Sequence, residues 1–215
     1  KADDLRAAFE AEYQAYLDAP PPPITSSYAL RGGRHLMRIA AMGPQVLPWL
    51  IEKARESGDI NLRVPLGFIS EVSFRRAKWP CTEPLGARTV LQLFIEWWDG
   101  GQALADRMFA EAYAERDIKR IAALGWGVMP RIVEKLREGD EELMEAVRRI
   151  TRAAVTWKWV PASAVADAPS WLAWWEKHKE EWQIPFPDLV KPHKDKEKPE
   201  AESAAPDQSQ PKASQ

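Results

Sequence analysis

Residues 38–56 and 120–138 are two versions of one nineteen-residue stretch, identical at eleven positions and offset by 82 residues. Both read Arg-Ile-Ala-Ala, then Met42 or Leu124, then a glycine, Gly43 or Gly125. Next come Val46-Leu47-Pro48 or Val128-Met129-Pro130, and a helix-period run closing in Glu-Lys-x-Arg-Glu. A duplication of this length constrains the architecture more than composition does. Each copy must fold into the same unit, and each unit needs neighbours to cover its apolar face.

Within the first copy, residues 34–41 read as a short helix closed by Gly43, whose missing Cβ permits a left-handed turn. The next helix runs over 45–56 and buries Val46, Leu47, Leu50, Ile51 and Ala54. Pro48 falls in its first turn, where no intrahelical N–H is sacrificed. The order Leu/Met-Gly, two residues, two apolar residues and Pro, followed by an apolar helix ending in Gly-Asp, resembles the second helix of a HEAT-type repeat. The resemblance implies copies about every 40 residues. A weaker one lies between the two, so the Leu/Met-Gly pairs start at 42, 85 and 124. The middle copy departs from the pattern, with Leu91 in place of the proline and Trp97-Trp98 in place of Ala-Arg.

The flanking segments are helical in period as well. Leu5, Phe9, Tyr13 and Tyr16 form a stripe on a helix capped by Asp3 or Asp4 and running to about Leu17. Pro20 to Pro23 stop it and form a stiff connector, which we prefer to an SH3-type ligand. Residues 59–77 and 140–155 each read as a helix closed by a tryptophan turn at Trp79 or Trp159, and 102–115 as an amphipathic helix. Past Pro161 the repeat fails. Asp167 and Pro169 open a helix with Trp171, Trp174, Trp175, His178 and Trp182 on one stripe. A terminal repeat has one face without a neighbour, so this helix is expected to dock on 143–155 as a cap, or else to offer a binding face. Residues 191–215 lose their hydrophobics and are expected to be disordered.

The expected fold is therefore all-α, a short HEAT-like α-solenoid of about three helix pairs. Its parts are an N-terminal helix at 1–19, a Pro-rich connector at 20–27, helical repeats at 28–161, a Trp-rich cap at 162–190 and a tail at 191–215.

A net charge of −2 gives no global electrostatic case for nucleic acid or an anionic membrane, and a mean hydropathy of −0.44 leaves no room for a spanning helix. The single Cys81 excludes an internal disulfide. The chain opens at Lys1 without a Met, and we expect an exported protein, periplasmic or secreted, with its signal removed. No glycine-rich phosphate loop, Cys/His metal spacing or Ser/His/Asp constellation occurs, so no enzyme, metal or cofactor is expected. His178 with Glu181 reads as a packed histidine in an aromatic cap, and His35 beside Arg34 and Arg38 as a solvated basic edge. Arg148, Arg149, Arg152 and Lys158 form a basic cluster. Arg75, Arg76 and Lys78 recur at the equivalent place, which points to the rim of a repeat more than to a nucleic-acid site.

Disagreement between the copies locates the candidate surface, because a packed position restricts the choice of side chain. Trp49, Gln92 and Arg131 are equivalent, as are Pro44, Ala87 and Trp126. The HEAT resemblance implies that these second helices line a concave recognition face. Trp49 and Trp126 are the exposed-aromatic candidates there, flanked by Gln45, Arg88, Gln92, Arg131 and Lys135. Packing of both rings on neighbouring loops is the alternative. Eleven tryptophans in 215 residues serve either as wedges in a thin core or as rings offered to a partner. The expected function is a non-catalytic scaffold or adaptor holding a protein partner on the concave face. The alternative is a glycan- or cell-envelope-binding protein whose exposed Trp rings stack on sugars.

Overall fold

The structure is a computed structural model describing residues 2–20, 32–79 and 87–187, with side chains from 90 onward in the last stretch. Every regular element is helical, and no strand occurs among the described residues. Pro21 to Pro23, Cys81, the Leu85-Gly86 pair and the tail at 191–215 lie outside the described residues.

The first helix, α1 (Ala2–Asp18), starts ahead of its expected cap, so Asp3 and Asp4 lie in the first turn, where the helix dipole favours carboxylates. Its buried residues are Phe9, Tyr13 and Tyr16, and it packs on α2 (Gly33–Ala41). The Tyr16 hydroxyl donates to Asp59 and accepts from Asn61 Nδ2 at 3.3 Å. Burial and the neighbouring Asp59 carboxylate push its phenol up to about 12. His35 is not at a solvated edge as expected. It is buried, with Nδ1 2.7 Å from Glu12 Oε2 of α1 and Nε2 accepting from Arg34 Nε at 3.2 Å.

The duplicated stretch folds the same way twice. In the first copy α2 ends at Met42 (φ −75°, ψ −12°), Gly43 turns at positive φ, Pro44–Val46 form a 3₁₀ turn, and α3 (Leu47–Ser57) follows. In the second, α6 (Ile118–Ala123) ends at Leu124 (φ −76°, ψ −10°), and Gly125 turns at φ 68°. Gly125–Val128 form the 3₁₀ turn, and α7 (Met129–Arg137) follows. Pro48 and Pro130 each lie in the first turn of their helix. The return helices repeat too, with α4 (Arg63–Ser70) packed on α2 and α8 (Met144–Ile150) on α6. Each copy closes on a lysine at positive φ and a tryptophan. The Trp79 N–H donates to Phe74 O at 3.0 Å and the Trp159 N–H to Ala154 O at 2.8 Å, behind Lys78 (φ 55°) and Lys158 (φ 61°). That is a Schellman closure in both places.

Several expected boundaries are corrected. Residues 59–77 are not one helix: α4 stops at Ser70, and 71–73 leave the helix to run beside the second copy. There the Ser73 N–H donates to Ala123 O at 2.8 Å. Residues 140–155 break into a 3₁₀ turn (Glu141–Leu143), α8 and α9 (Arg152–Thr156). Gly43, at φ 79° and ψ −168°, is in a mirror-image extended conformation and not a left-handed helical one. The middle stretch is α5 (Ala87–Ala114), broken at Gly101 (φ 57°, ψ −157°). Its second half is the amphipathic helix expected from Gln102 onward, and α5 packs on α6 as α1 packs on α2. Between the copies lies the buried Arg120. Its Nε donates to Ala77 O at 3.3 Å, and its terminal nitrogens reach Glu115 at 3.1 Å and Glu111 at 2.9 Å.

The last helix, α10 (Ala168–Trp182), starts as its sequence requires: Asp167 Oδ1 accepts from the Ser170 N–H at 2.8 Å, with Pro169 in the first turn. Its docking differs from expectation. It lies on α7 and on the Pro44–Val46 turn, bridging the two copies, while the 3₁₀ turn ahead of it (Ala162–Val165) meets α8.

Glu71, the residue after α4, sits at φ 55° and ψ 19° with a desolvated side chain, and burial pushes its carboxyl up from 4.5 to about 7. A carboxyl raised on folding contributes stability that is complete below its unfolded value and lost as the pH climbs through its folded one. Stability is therefore expected to fall between about pH 4.5 and pH 7. Glu71→Gln is expected to flatten that fall and to gain about 1–2 kcal/mol at pH 8, roughly half the full linkage value because solvent screens one side of the group. Urea midpoints of both proteins at pH 5 and pH 8 check this. Parallel pH profiles would contradict it.

Candidate functional site: a row of tryptophans

The chain's own helices engage Trp126, Gln45 and Trp49 of the expected concave face. Trp126 is only 1% exposed, with Trp182 at 4.8 Å and Trp171 at 6.3 Å between ring centroids. Its expected exposure is overturned. Its equivalent in the first copy, Pro44, is buried too, and α10 lies on that turn as well. Gln45 Nε2 donates to Glu180 O of α10 at 2.7 Å. Trp49 is half-buried at 5.7 Å from the Phe9 ring of α1, with the Arg6 guanidinium 5.9 Å above it. Arg131 is held by Asp106 at 2.5 Å and Glu134 at 2.8 Å, and these bonds raise its pKa further. Lys135 pairs with Glu138 at 2.6 Å and lies 5.5 Å over the Tyr113 ring. Gln92 is exposed beside Glu96, at 3.4 Å. Arg88 belongs to α5, and its side chain lies outside the described residues.

The helix that covers this face creates another. Because α10 carries its indoles at helical spacing, Trp171 and Trp175 point inward and are buried, while Trp174, His178 and Trp182 are half-buried beside them. Trp174 stacks on His178 at 4.8 Å and meets Trp182 at 6.0 Å. Trp182 meets Trp159 at 6.5 Å, and Trp159 stacks on Trp157 at 6.0 Å and 22°. The result is a connected row of rings running from His178 to Trp157 and rooted on Trp126 through Trp182. Trp157 is 50% exposed, the largest fraction of any large hydrophobic residue among those described.

Local chemistry explains the row. Lys158 adopts positive φ to close α9, and the Trp159 N–H folds back onto Ala154 O, so the Trp-Lys-Trp turn sets its two indoles nearly parallel. The C-terminal turn of α10 arrives beside that turn and adds Trp182. Trp-Lys-Trp and the indoles of α10 are visible in the sequence, but their junction is tertiary. The His178–Glu181 pair is a surface contact at 3.4 Å. Among the described residues no group of His, Cys, Asp and Glu has a metal-holding arrangement, and no helix is long and apolar enough to cross a membrane. No family model, no curated protein and no solved structure matches this chain.

Proposed function

We propose that this protein is a non-catalytic, HEAT-like helical-repeat module that binds a protein partner through Trp157, Trp159, Trp182 and Trp174. The observation that carries the reading is the half-exposed Trp157 ring, continuous with three further indoles. Removing a large aromatic side chain from water is worth roughly 2–3 kcal/mol, and tryptophans of this kind dominate the energetics of protein interfaces. The repeat reading is supported by the two copies sharing one helix-glycine-helix conformation and one closing turn. The partner surface moves away from the second helices, since Trp126, Gln45 and Trp49 engage α10 and α1.

A glycan is the second reading, favoured by the same Trp157 exposure, because an indole face open to water also stacks on a sugar ring. One experiment separates the two. Immobilised protein is exposed to native extract from its source, in parallel with binding to a panel of immobilised polysaccharides, for wild type and the Trp157→Ser/Trp159→Ser variant. We expect at least a tenfold loss of captured protein in the variant and no polysaccharide binding by either. Polysaccharide retention that the variant loses would replace the protein reading with the glycan one. Protein capture unaffected by the substitutions would end the proposal.

A further inference from the structure

The basic residues that read in sequence as two separate repeat rims meet in space. Arg76 from the closing turn of the first copy, Lys119 from α6, Arg149 from α8 and Arg152 from α9 line one cleft of about 500 Å³. The backbone explains the convergence. Residues 71–73 leave α4 and run along the second copy, fixed by the bond from the Ser73 N–H to Ala123 O, and so carry Arg76 across to α8 and α9.

The charges there are poorly compensated. Among the described residues Arg76, Lys119 and Arg152 form no ion pair, while Arg149 is held by Glu145 at 2.8 Å. Glu71 is the one carboxylate on the cleft wall, and Ser73 adds a hydroxyl. Elsewhere Arg116 is matched to Asp140, Arg120 to Glu111 and Glu115, and Arg137 to Glu176. Several like charges converging on a concave space leave a positive potential that an entering anion would relieve.

We propose that this cleft binds a small phosphoryl-bearing anion, with Arg76 and Arg152 as forked donors, Lys119 as a point charge and Ser73 as a neutral donor. The cleft volume suits a compact ligand. A nucleic-acid strand would need a basic track continuing past the cleft, and the adjoining groove is instead apolar, walled by Val64, Phe68, Val90 and Phe94. Glu71 lines both spaces, so an aromatic or apolar body attached to the phosphoryl group would find its place beside it.

Isothermal titration of the full chain with inorganic pyrophosphate, at constant ionic strength, is expected to give one saturable site. Arg76 and Arg152 are exposed, so Arg76→Ala and Arg152→Ala should keep the wild-type melting temperature while each weakens binding about tenfold or more, the scale of a charge-assisted pair. Arg107→Ala, an exposed cation on α5 that does not line the cleft, should change nothing. Glu71→Gln at pH 8 should tighten binding several-fold. It removes the one carboxylate that lines the cleft along with the four cations, with Arg63 lining the adjoining groove. Absence of a saturable site, or an equal loss in Arg107→Ala, would overturn the proposal. So would a single-stranded oligonucleotide that binds more tightly than pyrophosphate with a steep salt dependence, in favour of a nucleic-acid surface.

Discussion

Deleting residues 167–215 is expected to lower the melting temperature by roughly 10 °C or more and to make the protein self-associate. The deletion removes the buried indoles of Trp171 and Trp175 and uncovers Trp126, which is 1% exposed in the intact chain. Each large aromatic returned to water costs roughly 2–3 kcal/mol, so three of them claim a substantial part of a typical folding free energy. The uncovered surface spans both copies, because α10 lies on α7 and on the Pro44–Val46 turn together. Loss of α10 should therefore loosen the docking of one copy on the other as well as bare one end. Trp171→Ala is expected to account for about 3–5 kcal/mol of the effect. Trp171→Phe should cost much less, because the Trp171 Nε1 is buried with no hydrogen-bond partner among the described residues and phenylalanine discards that orphan donor. Deleting only 191–215, which is poor in large apolar residues, should do neither. Thermal scans with light scattering on the truncations decide the matter. A short truncation as damaging as the long one, or a harmless long one, would sink the docking argument.

The sequence states the helix-turn-helix of each duplicated stretch well, because it is specified locally. A glycine after Leu or Met, a proline in the next first turn and an apolar period of 3.6 dictate the helix-turn-helix wherever they stand. The same holds for Asp167 and Pro169 at the start of α10 and for the lysine-tryptophan closures. Contacts between units are a different matter. The indole stripe on α10 states that this helix must bury one face, but nothing local says on what. Several apolar surfaces compete, and the strip over Trp126 and Pro44 that α10 covers is available only once both copies are side by side. Hence Trp126 reads as exposed when the copies are aligned and is buried in the fold. The break after Ser70 is hidden for a related reason. Residues 71–77 satisfy a helical period, yet the backbone does better by leaving the helix and bonding across to Ala123. The basic cleft follows from that crossing, so it too is absent from any reading of one segment at a time.

Gly125→Ala tests the crossing directly and is expected to be among the most damaging single substitutions in the chain. Gly125 has φ 68°, and a Cβ built on it would lie 2.1 Å from Ser70 O, 2.8 Å from the Glu71 carbonyl carbon and 2.8 Å from Val72 N. All three are backbone atoms of the segment that carries Arg76 to the second copy, so no rotamer change relieves the clash. Strain at positive φ costs about 1–2 kcal/mol, and forcing packed backbone apart adds about 1–3, giving roughly 2–5 kcal/mol in total. Gly43 occupies the equivalent position and supplies the control. Its φ is also positive, at 79°, but nothing lies within 4 Å of a Cβ built there, so Gly43→Ala carries only the strain cost. Urea midpoints for the two variants should therefore differ severalfold in their displacement from wild type, with Gly125→Ala the lower. Similar displacements would mean that both glycines serve only the turn and that the Ser70–Val72 crossing is not tight. If the crossing is tight, Gly125→Ala should also weaken pyrophosphate binding under conditions where it remains folded, since the segment it displaces leads to Ser73 and Arg76. Gly43→Ala should leave that binding intact.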